Sequence, residues 1–310
     1  MLILAFRRFL SMALIMVIVS FTLFAIFESD KLAVAGKVLG PYSNTEQREL
    51  WLEQNGYNEP FLERYITWVG NALTGDFGYS IQYKAPVSDV LWPRLGNTAI
   101  LAGLYMLFMI PLSLTLGVIA GMKEGSIQDR VVSVGSVLTT SVPEFASATF
   151  FSAIFVFWLG WLPGTSAMTS GFNWAEIFLP VFVLVMYGFG YTTRMTRASM
   201  AEVMTSHYIR TAVLKGIPYR RVILKHALRN ALIAPFTVII LQLNWLLSGV
   251  IVVEVFFAYK GFGKLLLDAA LFGDIFVIEA CTLVAVFVAV FSQFISDIGY
   301  TLLNPRIRFT

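Results

Sequence analysis

Tyr208–Leu232 reads YIRTAVLKGIPYRRVILKHALRNAL, and Ile233–Phe257 continues it as IAPFTVIILQLNWLLSGVIVVEVFF. The first stretch holds six Arg or Lys residues and no acid, whereas the second holds one charge, Glu254. An apolar run of that length crosses a ~30 Å hydrocarbon layer as helix. The basic stretch before it must therefore lie in water or at headgroups on one side. The composition of the whole chain agrees: its 310 residues are 57% hydrophobic and 13% charged, against roughly 25% charged in soluble domains. Mean hydropathy is +0.75. The expected fold class is an all-α polytopic membrane protein, because only structures that satisfy their own backbone polar groups can span lipid.

Six spans are read, at about Phe9–Phe27, Thr98–Met122, Val131–Trp158, Ile177–Thr193, Ile233–Phe257 and Phe276–Leu303. The first follows Arg7-Arg8. Its uncharged, mostly apolar run of 19 residues exceeds the usual 7–15 of a signal-peptide core, so it is read as an uncleaved anchor despite the small-x-small Ala33-Val34-Ala35. With the N-terminus inside, the segments on that side hold 14 of the 22 bases, Arg306 and Arg308 included, with only Glu124, Asp129 and Glu202 as acids. The positive-inside rule then favours N-in/C-in. The expected organisation is residues 1–27 as start and first span, 28–97 as an extended outer segment with short helices, and 98–310 as a five-helix core. The basic hairpin lies within that core at about 200–232. In the outer segment, Thr45–Gln54 reads as a helix capped by Thr. Tyr57–Leu73 reads as an amphipathic helix lying on the membrane or on the outer ends of spans.

Within the hairpin, Ser206 is expected to cap a short helix from His207 to Lys215, with Gly216 as its left-handed C-cap. Ile209, Ala212 and Val213 form an apolar strip on it. Pro218 fits the first turn of a second helix, in which Arg221, Lys225 and Arg229 fall at i, i+4 and i+8. Like charges at that spacing repel by a few tenths of a kcal/mol per pair. Anionic lipid headgroups account for the charge, but not for a helix–Gly–Pro–helix break, which looks like a device for presenting one short helix to a partner.

The ordered motifs carry a resemblance. Arg210-Thr211-Ala212, Gly216 and Lys225-His226-Ala227-Leu228-Arg229-Asn230-Ala231 resemble the coupling loop of ABC-importer permeases, in the variant found in the B-type subunit of the dipeptide/oligopeptide/nickel family. Gly75-Asp76-Phe77-Gly78-Tyr79-Ser80, Ser141-Val142-Pro143-Glu144-Phe145, Val252-Val253-Glu254 and Gly261-Phe262-Gly263-Lys264-Leu265 agree in order. Glu28-Ser29-Asp30-Lys31 and Tyr259-Lys260-Gly261 depart from the family's usual outer-side turns. The resemblance implies a permease subunit in a bacterial cytoplasmic (inner) membrane. Its implied partners are a second homologous permease (a heterodimer), two cytoplasmic ABC ATPases and an extracytoplasmic substrate-binding protein. It also implies that His207, Tyr208, Ile209, Arg210, Thr211, Ala212, Lys215 and Gly216 meet an ATPase, with Arg221, Lys225 and Arg229 as the stalk. No cofactor is expected on this chain; ATP and Mg belong to the partner ATPases, consistent with the missing GxxxxGK[ST] pattern. Peptide, nickel chelate, glutathione, opine and glycoside all remain open as cargo.

One cysteine, Cys281, and two histidines, His207 and His226, exclude an internal disulfide and disfavour a metal site. No catalytic set is present, and no nucleic-acid partner is indicated. Polar residues at membrane depth are pathway candidates: Glu144, Asn244, Ser248 and Glu254, against the alternative of interhelical hydrogen bonds. Asp268 and Asp274 are read as solvated. A secondary transporter or another non-ABC membrane protein stays as the alternative, though inverted repeats are not evident.

Overall fold

A computed structural model describes residues 2–169 and 171–303. The side chains of residues 2–5, 243, 244, 247–249 and 297–303 lie outside that description, so the expected roles of Asn244 and Ser248, and of Arg306 and Arg308, fall outside the described residues. The described elements are helices, with one isolated antiparallel bridge between Tyr79 and Pro86. Four described helices are long and apolar enough to cross a membrane, and up to six spans result if each of two bent pairs is one span. The chain divides into two compact units, residues 1–98 with 260–295, and residues 99–259 with 296–310.

The first unit contains α1 (Leu2–Glu28), α2 (Lys31–Leu39), α3 (Thr45–Gln54), α4 (Phe61–Thr74), the start of α5 (Val87–Met122), α13 (Phe262–Phe272) and most of α14 (Ile275–Leu303). The cap of α3 is Asn44, not Thr45: its side chain accepts from Gln47 N at 2.8 Å while Gln47 Oε1 accepts from Asn44 N at 3.0 Å. This reciprocal pair satisfies two orphan donors at once. Helix α4 lays Phe61, Tyr65 and Trp68 against Phe21 and Phe24 of α1, with ring centroids 5.3 Å apart for Phe24–Phe61 and for Phe21–Tyr65. Its opposite side leaves Leu62 and Ile66 exposed. Where the family turn is replaced, Glu28 pairs with Arg64 and with Lys31 (2.8 Å), and Asp30 caps α2 through Ala33 N at 2.9 Å.

Helix α5 begins at Val87, eleven residues before the expected start at Thr98, because Val87 and Leu91 are fully buried one turn apart against Phe262, Leu265 and Val277. Cys281 packs in the same core as an apolar group. The expectation of a solvated Asp274 is wrong. It is wholly buried, accepts from Ser80 Oγ at 2.6 Å and Gln82 N at 3.0 Å, and stands immediately before α14. Asp268 pairs with Lys264 at 3.1 Å.

The second unit is organised around α8 (Trp174–Met204), which packs on α6 (Ile127–Ser141), α7 (Glu144–Ser152) and α12 (Ile233–Phe256). The expected continuous span Val131–Trp158 is instead two helices bent by 101°. Pro143 has no N–H to donate and pushes Val142 out of the helical region, to φ −98°, ψ 125°. A π-helical stretch, Ala153–Trp158, then continues α7. Helix α5 reaches α8 through Gly117 and Gly121: a Cβ on Gly121 would stand 2.6 Å from Arg197 O. Small residues four apart are what allow such backbone contact between apolar helices.

Candidate functional site

The hairpin begins where α8 stops. Helix α9 (His207–Leu214) follows directly, then α10 (Tyr219–Arg221), a π-helical stretch (Val222–Ala227) and α11 (Leu228–Ala231). Ser206 has an extended backbone, as a cap residue should, but its hydroxyl donates to Val203 O at 2.6 Å and makes no cap bond to α9. The stop at Gly216 is as expected. Its φ is +72°, Gly216 N donates to Val213 O at 2.9 Å and Ile217 N to Ala212 O at 3.3 Å. That bonding pair is the Schellman closure of a helix.

Ile209 and Ala212 turn inward, joining Met200, Val222, Ile223, Ala227 and Ala231 in one buried cluster that also receives Val118 and Met122 of α5. The apolar strip on α9 is narrower than read from sequence, since Val213 is 51% exposed. The outward surface of α9 and its cap carries His207, Tyr208, Arg210, Thr211, Val213, Leu214, Lys215 and Gly216. Among the eight residues expected to couple, six are therefore presented and two anchor the helix.

Arg221, Lys225 and Arg229 are all exposed, but the π-helical stretch between them replaces i→i+4 bonding. Asn230 Nδ2 donates to Tyr208 Oη at 2.9 Å, joining the two limbs. Pro218, at φ −53° and ψ 134°, precedes the second limb as its cap residue.

Beside the hairpin, Arg197 of α8 holds Asp129 through two bonds, Nε to Oδ1 at 2.9 Å and Nη2 to Oδ2 at 2.8 Å, and reaches Glu124 at 3.2 Å. Asp129 is buried and also accepts from Gly125 N at 2.8 Å. This clamp fixes the start of α6 to the last turns of α8. The sequence showed both charges on one side but offered no signal that they pair.

Gln242 of α12 forms a polar node against α8 that was not among the expected pathway residues. Its Oε1 accepts from the Tyr105 hydroxyl, and its Nε2 donates to Thr192 Oγ1 at 2.8 Å and Gly188 O at 3.2 Å. Glu144 begins α7, where one carboxyl oxygen is buried without a hydrogen-bond partner. Glu254 is fully buried. Among the described residues no cluster of three or more His, Cys, Asp or Glu could hold a metal ion.

Residues 113–309 match the family described as binding-protein-dependent transport system inner membrane component. The chain belongs to that family. It is 34% identical over 279 residues to the oligopeptide transport system permease protein AppB of Bacillus subtilis, covering 88% of each chain. It is 34% identical over 272 residues to the glutathione transport system permease protein GsiC of Shigella flexneri, again covering 88% of each. Identity to the probable peptide ABC transporter permease protein y4tP of Sinorhizobium fredii is 29%, over 98% of each chain. The protein is thus a multi-pass permease subunit of an ABC importer in a bacterial inner membrane, and ATP hydrolysis resides on separate subunits. The matched region contains the Arg197–Asp129 clamp, the whole hairpin, and Gln242 with its partners Gly188 and Thr192; Tyr105 lies before it.

Proposed function

We propose that this permease imports peptides or similar small solutes and feels ATP hydrolysis through α9. In this reading six spans cross the bilayer with both ends inside, each bent helix pair counting as one span. A second homologous permease forms the other half of the pathway. Two ABC ATPases carry ATP and Mg on the cytoplasmic side, and a binding protein delivers cargo outside. The observation that supports this most is the two-sidedness of α9: Ile209 and Ala212 anchor it to α5, α8 and the stalk, leaving a contiguous outer face. A push on that face is passed at once to α5, α8 and the stalk that leads into α12, as an alternating-access motion requires. Arg210 and Lys215 pair with acids on the ATPase. Of the pathway candidates, Glu144 has the strongest support, because an unpartnered buried carboxyl oxygen is costly unless something visits it. Asn244, Ser248 and Glu254 are kept as weaker members of the same path.

Co-expression with neighbouring genes tests the coupling: an ATPase co-purifies with the intact chain, and deletion of residues 206–216 abolishes that association while membrane insertion persists. Survival of the complex without α9 would overturn the assignment. A ligand-shift melting screen of the partner binding protein with peptides, glutathione and nickel chelates decides the cargo.

A further inference from the structure

A cavity of about 270 Å3 opens beside the Gln242 node, lined by Thr140, Tyr187, Tyr191, Arg194, Gln242 and Trp245. Tyr187, Tyr191 and Arg194 lie at i, i+4 and i+7, so one face of α8 supplies its donors. Tyr187 stacks on Trp245 with centroids 5.2 Å apart and an interplanar angle of 22°, which makes a flat aromatic wall. Gln242 cannot bind a ligand strongly, since both ends of its amide are already committed inside the protein. Arg194 is different. It is exposed, makes no ion pair with any described residue, and stands just past the inner end of the span read at Ile177–Thr193. A guanidinium that lines a cavity and makes no ion pair within the chain is free to take a carboxylate in bidentate fashion.

We propose that this cavity is a subsite for the carboxylate end of the cargo, with Arg194 taking the carboxylate and the Tyr187–Trp245 wall taking the adjoining apolar side chain. The inference rests on the import of peptide-like solutes proposed above. The volume lies just under the roughly 300–1,000 Å3 of whole small-molecule sites, so it accommodates one terminus and leaves the rest of the cargo in the pathway. Guanidinium–carboxylate pairing is the strong, bidentate kind of hydrogen bond, and an aromatic wall tolerates many side chains.

The test uses the permease assembled with its partner subunits in phosphatidylcholine nanodiscs. It is photolabelled with alanyl-photoleucine as the free acid and as the C-terminal amide. The free acid labels segments around residues 187–194 and 245 about tenfold more than the amide, the ratio expected when one charged hydrogen bond of roughly 1.4 kcal/mol is lost. Arg194→Gln brings acid labelling down to the amide level, and Arg194→Lys recovers part of it, while the ATPases still co-purify with both variants. Equal labelling by acid and amide, or unchanged labelling in Arg194→Gln, overturns the subsite. Adding phosphatidylglycerol separates the sources of anion: undiminished labelling supports a cargo site, and its abolition assigns Arg194 to a lipid headgroup and overturns the proposal. A binding protein stabilised by dipeptides, with no carboxylate-dependent labelling here, keeps the cargo reading and rejects only the subsite. A binding protein indifferent to dipeptides rejects the cargo reading, and the acid-to-amide ratio still decides the subsite.

Discussion

Asn230 donates to the Tyr208 hydroxyl at 2.9 Å, the one side-chain hydrogen bond among the described residues between α9 and the stalk that follows it. The remaining contact between the limbs is the apolar cluster around Ile209 and Ile223. A load placed on α9 therefore reaches α12 through packing plus this single polar tie.

Tyr208→Phe and Asn230→Ala should each ease local opening of residues 207–216 by about 0.5–1 kcal/mol, the low end for a hydrogen bond because both groups are exposed. Amide hydrogen exchange across α9 reads the effect. The double variant should cost no more than the larger single one, since both remove the same bond; strict additivity would show that the two side chains act separately.

Asp129→Asn and Arg197→Ala each break the clamp at the start of α6. Asp129 is nearly fully buried and Arg197 has a side chain 27% exposed, so a single change strands a poorly solvated charge at a cost of about 3 kcal/mol. Thermal unfolding of the detergent-solubilised chain measures this. Asp129→Leu combined with Arg197→Met should recover much of the loss, because the charge left without its partner, Glu124, is well exposed to solvent.

Gly121→Val should destabilise the second unit by about 3 kcal/mol or prevent its folding, since its Cβ would meet Arg197 O at 2.6 Å and Met200 Cβ at 2.7 Å. Backbone carbonyls cannot move aside as a side-chain tip can. Gly103→Ala on the same helix meets nothing within 4 Å and should be tolerated. Yield of monodisperse protein distinguishes the two.

Asp274→Ala removes the acceptor for Ser80 Oγ and Gln82 N, and with it the anchor of the loop before α5. Leaving the buried Ser80 hydroxyl and the half-buried Gln82 N–H unmet costs about 2 kcal/mol. Limited proteolysis should cut between residues 76 and 86 faster in the variant; an unchanged rate would show that the Tyr79–Pro86 bridge holds the loop alone.

Much of this architecture is readable because hydrocarbon is an unforgiving solvent. Apolar runs such as Phe9–Phe27 and Ile275–Ser296 have no stable alternative to a spanning helix, and they emerge where composition places them. The hairpin break is equally local: Gly216 at φ +72° and Pro218 stop one helix and start another whatever surrounds them. Even the broken third span could have been anticipated from Pro143, whose preceding residue is sterically barred from the helix.

Tertiary structure decided the rest, for the reason that the partners are remote in the chain. Asp274 meets Ser80 across 194 positions and Arg197 meets Asp129 across 68, and no periodicity links such pairs. The inward turn of Ile209 and Ala212, with Val213 left outside, depends on where Met200 and Ile223 stand. Gln242 becomes a node only because Tyr105, Gly188 and Thr192 converge on it. Sequence determined that this chain is a membrane permease with a basic, broken hairpin. Packing between distant segments determined which face of that hairpin stays exposed, and which arginine of α8 lines the cavity beside Gln242.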